Sequence, residues 1–299
     1  GSVADKAQTA AVTDLNADSA DVNETVTYTK VGSLVPSSSD GNFPGAPTVV
    51  YPNDPSDATK VTPAGVPTVP GYTAHDPEGN VLTPGSSYQP SDPTKDTTIT
   101  YTADKQKGSV SYVDDTTGKT LKTDSISGTT GSKSSYSTSG SIADYKKQGY
   151  ELVTDGYPAD LTFDNDDTTD QNFTVHLKHR LTPVNPTDPQ TPGTPINPDE
   201  PDGPKWPTST NYDKTVNETI SYVDQNGHVV AKQHTDSVNF TRTVVVDNVT
   251  GEVITSGAGT TAWTATNGDT TFDAVVSPVV PGSVADKAQT AAVTDLNAD

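Results

Sequence analysis

The sequence predicts a mainly β protein with one short helix, an α+β array of several small modules, and three observations carry that prediction. First, the eighteen residues from Gly1 to Asp18 return letter for letter from Gly282 to Asp299. The chain therefore reads as one period of a tandem array, Gly1 to Pro281, with an overrun into the next copy. Second, hydrophobic residues make up only 30% of the 299-residue chain, too few for one large core and enough for several small ones. Third, short runs alternate an aliphatic residue with Thr or Ser and end on Tyr: Val26-Thr27-Tyr28, Ile99-Thr100-Tyr101, Val110-Ser111-Tyr112 and Ile220-Ser221-Tyr222. Period-two spacing places the aliphatic residue and the Tyr on one face of a strand, so Tyr28, Tyr101, Tyr112 and Tyr222 are expected in cores.

Two of these strands run into hairpin signals, Asp114-Asp115-Thr116-Thr117-Gly118 and Asp224-Gln225-Asn226-Gly227, whose glycines supply the positive φ of a tight turn. Further strands are expected over 97–102, 173–177, 243–247 and 271–276. The helix is expected after Ser141 as N-cap, through Tyr145-Lys146-Lys147-Gln148, with Gly149 as its stop. Between 183 and 207 a proline stands at every third position, the period of polyproline II, so this stretch reads as a semi-rigid spacer of roughly 75 Å and the repeat as elongated. These signals divide the chain into 1–31, the closing segment of a preceding repeat; 32–106, a Pro-rich β module; 107–180, a second β module; 181–207, the polyproline II linker; and 208–299, a third β module lacking its closing strand.

Composition excludes several functions. Asp and Glu number 39 against 18 Lys and Arg, a formal charge of −21, which opposes binding to nucleic acid or to an anionic membrane surface. No run approaches the roughly 20 apolar residues of a membrane span, and with neither signal peptide nor anchor the chain reads as a segment of something longer. There is no Cys, hence no disulfide, thiolate metal site or Cys nucleophile. Five histidines, at 75, 176, 179, 228 and 234, fall in no metal-spacing motif and read as surface or edge residues. The run Gly128 to Ser134 has the wrong glycine spacing for a phosphate loop and reads as a turn, and no Gly-x-Ser-x-Gly elbow occurs. Modules of about 75 residues are small for the two-carboxylate cleft of a glycoside hydrolase. No enzyme is expected.

Two places invite a ligand. Asp164, Asp166 and Asp170 alternate along Asp164-Asn165-Asp166-Asp167-Thr168-Thr169-Asp170 and offer oxygen ligands for calcium, although Val175 stands where a calcium loop of the EF-hand type carries its bidentate Glu. A solvated turn is the alternative. Trp206, among prolines and beside Lys205, offers a face for a sugar ring or for packing against the third module.

A resemblance adds to this reading. The stretch 110–119, the Ile142-to-Val153 run with its Gly149-Tyr150-Glu151-Leu152-Val153 ending, Phe163-Asp164-Asn165-Asp166-Asp167 and 173–179 together resemble the MucBP-type module of mucus-binding repeats in surface adhesins of lactic acid bacteria. The likeness continues through Asn197-Pro198-Asp199-Glu200-Pro201 to Trp206, and Tyr51-Pro52-Asn53-Asp54-Pro55 with Val69-Pro70-Gly71-Tyr72 resembles the Pro-rich module that joins such repeats. It implies ubiquitin-like β-grasp modules on an extracellular, cell-wall-attached protein that binds mucin glycoproteins or their glycans and, in some members, immunoglobulins. A stalk that only projects a distal binding head is the other function compatible with the repeats.

Overall fold

The computed structural model describes residues 1–299 and divides into two compact units. The first comprises 1–112, 120–137 and 156–174, the second 113–119, 138–155 and 175–299. Strands, several small sheets and a single α-helix make up the regular structure, and no helix is long and apolar enough to cross a membrane.

In the first unit, strands Ser33–Ser37, Val49–Val50, Tyr72–His75, Val81–Leu82 and Thr97–Ala103 form one mixed sheet. Its first and last strands lie side by side and run parallel, from Leu34 opposite Thr97 to Ser37 opposite Thr100, and its other pairs are antiparallel. Numbered along the module, the spatial order is 2-1-5-3-4, the β-grasp arrangement. Where such folds place a helix, this chain has Pro52, Pro55, Pro63, Pro67 and Pro70, each lacking the donor and the room a helix interior requires. An irregular run and a two-residue pair, Ala64–Gly65 with Ser87–Tyr88, fill the space. Leu34, Tyr51, Ala64, Ile99 and Tyr101 are the centre of the core.

The module that follows places its strands in the order Lys119–Thr129, Lys105–Asp114, Gln171–His179, Tyr150–Asp155. Gly108 abuts Gln171 at one end of the central pair, and the amide of Asp115 donates to Leu177 at the other, so these two strands are also parallel. The helix, Ser139–Lys147, begins three residues before the expected start. Thr138 occupies the N-cap, but its hydroxyl donates to Asp155 at 2.6 Å instead of capping. Ile142 is the residue that the helix buries, and Gly149 ends it at φ +99°.

The second unit continues with an edge strand, Leu181–Val184, beside Val244–Asp247 and Val253–Ile254. A long hairpin, Asp213–Val223 with Val229–Thr241, carries the short strand Thr264–Ala265 on its flank.

Four expectations are corrected here. Residues 181–207 are not an extended spacer. Val184 and Ile196 are buried with Tyr212, Val244 and Val246, Ile196 donates to Pro204 at 2.9 Å, and Pro183 sits in an edge strand, where its missing donor costs nothing. The apolar residues between the prolines have a core to reach, and the chain folds back to reach it. Residues 1–31 are not a detached closing segment, because Val3 and Val31 join the core of the Pro-rich module. Within them Tyr28 is 62% exposed, since only Tyr28–Lys30 is strand and its partner is the three-residue Ser2–Ala4. The stretch 271–276 makes isolated bridges at Phe272 and Val276 in place of a strand.

Candidate functional site

The Pro-rich module holds a cleft of about 180 Å³. Antiparallel pairing of Tyr72 with Ala103 and of Thr73 with Thr102 brings the end of one strand to the start of the other, and the Asp104 amide closes the corner on the Gly71 carbonyl at 2.8 Å. Asp104 thus sits at the cleft with the Thr73 hydroxyl donating to its carboxyl. Asp167 arrives from the acidic turn, held by the Gln106 amide at 2.6 Å, and that amide also donates to Thr130 at 3.1 Å. The opposite walls are apolar: Val66, Pro67, Val69, Leu82 and the ring of Tyr101, whose hydroxyl donates to the Pro67 carbonyl at 2.6 Å.

Burial pushes the Asp104 carboxyl above its ordinary value, and the hydrogen bond with Asp167 and that residue's charge add to the shift against the opposing Thr73 bond. Asp104 therefore keeps its proton into a higher pH range than an exposed Asp would, and lies beside the Asp167 carboxyl at the cleft. Tyr72 lines the same cleft, and its buried hydroxyl has no hydrogen-bond partner. Burial raises its pKa as well, keeping it a neutral donor. A rigid aliphatic and aromatic wall facing convergent hydroxyl and carboxyl groups suits a polyhydroxylated ligand.

Of the residues singled out in the sequence, Trp206 is half-buried against the cluster of Val184, Ile196 and Tyr212, with its backbone fixed to Gly193 and Thr194. Asp164, Asp166 and Asp170 are exposed and belong to no cluster of three or more His, Asp or Glu side chains with metal-binding geometry. Asp164 accepts from the Asp166 amide, and Asp166 accepts from the amide and hydroxyl of Thr168, as in a run of Asx turns. The neighbour between them, Asp167, is the residue that reaches the cleft.

His179 corrects the expectation of surface histidines. It is buried, with Nε2 2.6 Å from Asp114 and Nδ1 2.7 Å from Asp247, both carboxyls buried too. The Tyr150 ring packs edge-on against it at 5.3 Å. Asp114 also accepts from the Thr116 amide and the Thr117 hydroxyl, and Asp247 from the amides of Val249 and Thr250. Burial alone would lower the imidazole pKa, but the hydrogen bonds and charges of Asp247 and Asp114 outweigh it and raise the value. The result is a charged Asp–His–Asp sandwich joining the end of the second module to the start of the third. The signal for it lay in the strand pattern: extending Val175 and Leu177 by two residues puts His179 on the same buried face. No comparable signal links Asp104 to Asp167.

A mucin binding domain model matches residues 106–179, and a Muc B2-like domain model matches residues 207–299, together more than half of the chain. Among solved structures, the crystal structure of Mub-RV is 34% identical, with 63% of this chain and 91% of that one covered at a TM-score of 0.46. A type 2 repeat of the mucus binding protein MUB from Lactobacillus reuteri is 33% identical, with 64% and 91% covered at a TM-score of 0.43. Among curated proteins none matches. With a mucin binding domain and a Muc B2-like domain matched over more than half of its length, the chain belongs to the family of mucus-binding repeats.

Proposed function

We propose that this repeat binds mucin glycoproteins through their glycans, one weak subsite per copy, on an extracellular, cell-wall-attached adhesin. The observation that carries the reading is the cleft in which the unpartnered Tyr72 hydroxyl and the Asp104–Asp167 carboxyl pair face an apolar wall. A cleft of this size takes about one sugar ring, so a single copy binds weakly. Tandem copies multiply the affinity through effective concentration by as much as about 10²- to 10⁴-fold.

The test is binding to immobilised mucin. Tyr72→Phe and Asp104→Asn each remove one polar contact and should weaken binding about tenfold, while a two-copy protein should bind far more tightly than one copy. Deglycosylated mucin should bind neither. Unchanged binding by both variants, or equal retention of an equal-length control stalk, overturns the reading in favour of a spacer. Immunoglobulin in place of mucin, with the same two variants, tests the other partner that the family resemblance implies.

A further inference from the structure

The duplicated eighteen residues are used differently at the two ends of the chain. At the first occurrence the head is engaged. Ser2–Ala4 pairs with Tyr28–Lys30, Ala4 donates to the Ala58 carbonyl at 2.8 Å, Asn53 donates to the Ser2 carbonyl at 2.8 Å, and Val3 and Ala4 are each 5% exposed. Asp5 and Lys6 bond to Thr27 and Thr25, and beyond them that occurrence is bare: Val12 is 49% exposed and Leu15 66%.

At the second occurrence the tail is engaged. Val293 and Phe272 exchange both backbone hydrogen bonds at 2.8 Å, Thr290 donates to Val275 and Leu296 to Thr270 at 2.9 Å, and Ala298 is buried against Val238, Phe240 and Phe272. Here the head is bare, with Val284, the counterpart of Val3, 99% exposed. The two sets meet at one residue and there use different atoms: Lys6 Nζ donates to the Thr25 carbonyl and pairs with Glu24, whereas its counterpart Lys287 accepts from the Ser277 hydroxyl through its backbone carbonyl, so one segment can serve both. The tail also keeps one shape whether docked or free. Asp14 and Asp295 have φ of 60° and 57°, and the amides of Asp18 and Asp299 donate to Asn16 and Asn297 at 2.8 and 2.9 Å.

We propose that the segment is a two-sided clasp between consecutive copies of this chain. Residues 287–298 stay on the third module of one copy, while Ser283, Val284 and Ala285 become the first strand of the Pro-rich module in the copy that follows. The occupant of each surface is fixed by identity, because each surface is already seen holding its half of the same sequence. Lys287 and Ala288 already accept from the Ser277 hydroxyl and amide at 2.6 and 2.9 Å, so only Asp286 lies between the halves, and from Ala285 to Lys287 the chain spans at most about 7 Å. Successive copies would therefore meet at a short, hydrogen-bonded joint.

Two proteins test this: the 299-residue chain, and a two-copy protein in which residues 1–281 precede the whole chain. Val284→Asp in the single chain should be silent, since that side chain is bare. The same substitution at the junction of the two-copy protein should lower the melting temperature of the following copy by about 5 °C or more, because it puts a charge where Val3 is buried. Leu296→Asp at the junction should destabilise the preceding copy, and amide exchange at the counterparts of Ala4 and Val293 should be slowed together. A silent junction Val284→Asp, or slowed exchange on only one side, overturns the clasp. Mucin affinity does not enter these readouts, so their failure is distinct from failure of the binding proposal.

Discussion

Replacing His179 by Ala should cost the second unit about 3–5 kcal/mol, the loss expected when one partner of a buried ion pair is removed. What makes the loss large is what remains. Asp114 and Asp247, each under 10% exposed, would face one another across the vacated site with no cation between them. For a unit of this size the loss corresponds to a fall in melting temperature on the order of 10 °C. His179→Gln keeps a donor without the charge and should recover only part of it, whereas Asp247→Asn in the His179→Ala background should recover more by removing one stranded charge. Urea unfolding, with amide exchange assigning the transition to the second unit, measures all three; a change below about 1 kcal/mol for His179→Ala would mean the sandwich contributes nothing net.

The same site sets a pH dependence. The folded pKa of His179 lies above its ordinary 6.5, so its contribution is complete below that value and is lost as pH rises through the folded pKa. For Asp114 the hydrogen bonds from His179, Thr117 and Thr116 overcome burial and hold the carboxyl below its ordinary 3.8, so its contribution is present above that value and is lost as pH falls through the folded pKa. The sandwich is therefore most stabilising between about pH 4 and 6.5. Wild type should lose stability as pH rises above 6.5 through the folded pKa of His179, and His179→Ala should lose less over the same rise. Parallel curves for the two proteins would remove His179 from the account.

What was legible in the sequence, and what was not, follows from the range of the interactions. Alternation of apolar residues with Thr or Ser is local, and it located the strands holding Ile99, Tyr101, Val110 and Tyr112, all essentially buried. The helix was legible for the same reason, although its start shifted because Thr138 and Asp155, far apart in sequence, bond to each other. The proline period misled. A three-residue spacing describes where donors are missing, and a folded edge with irregular turns tolerates missing donors as well as an extended spacer does; Val184, Ile196 and Trp206 decided the outcome by packing. Trp206 and the acidic run were visible as residue types, but the cleft depends on Asp104 and Asp167 meeting across two modules, and local pattern carries no trace of that. Tyr72 was visible only as part of the family resemblance, and its unpartnered hydroxyl is a fact of packing alone.

Gly149→Ala should be the most damaging single methyl that can be added to the second unit, at about 3 kcal/mol or more. Two costs combine. The backbone there has φ of +99°, a conformation that L side chains rarely adopt and that carries a cost of about 1–2 kcal/mol by itself. In addition, the new Cβ would collide with the Asn248 carbonyl, its carbon only 2.6 Å away, and no flexible side-chain end is available to yield. That carbonyl is fixed, because it accepts from the Asn197 amide at 2.8 Å, and Asn248 in turn donates to Arg180 at 2.9 Å, whose own amide donates to the Gly149 carbonyl at 2.9 Å. Relieving the collision means prying the helix stop of the second module from the third module, beside the His179 sandwich. Gly118→Ala separates the two costs: its φ is +76° and a Cβ there meets nothing within 4 Å, so only the backbone cost of about 1–2 kcal/mol should appear. Equal losses for the two variants, measured by urea unfolding, would show that the contact at Asn248 yields freely and that the junction between these modules is soft; a clear excess for Gly149→Ala would show the closeness at Asn248 to be rigid.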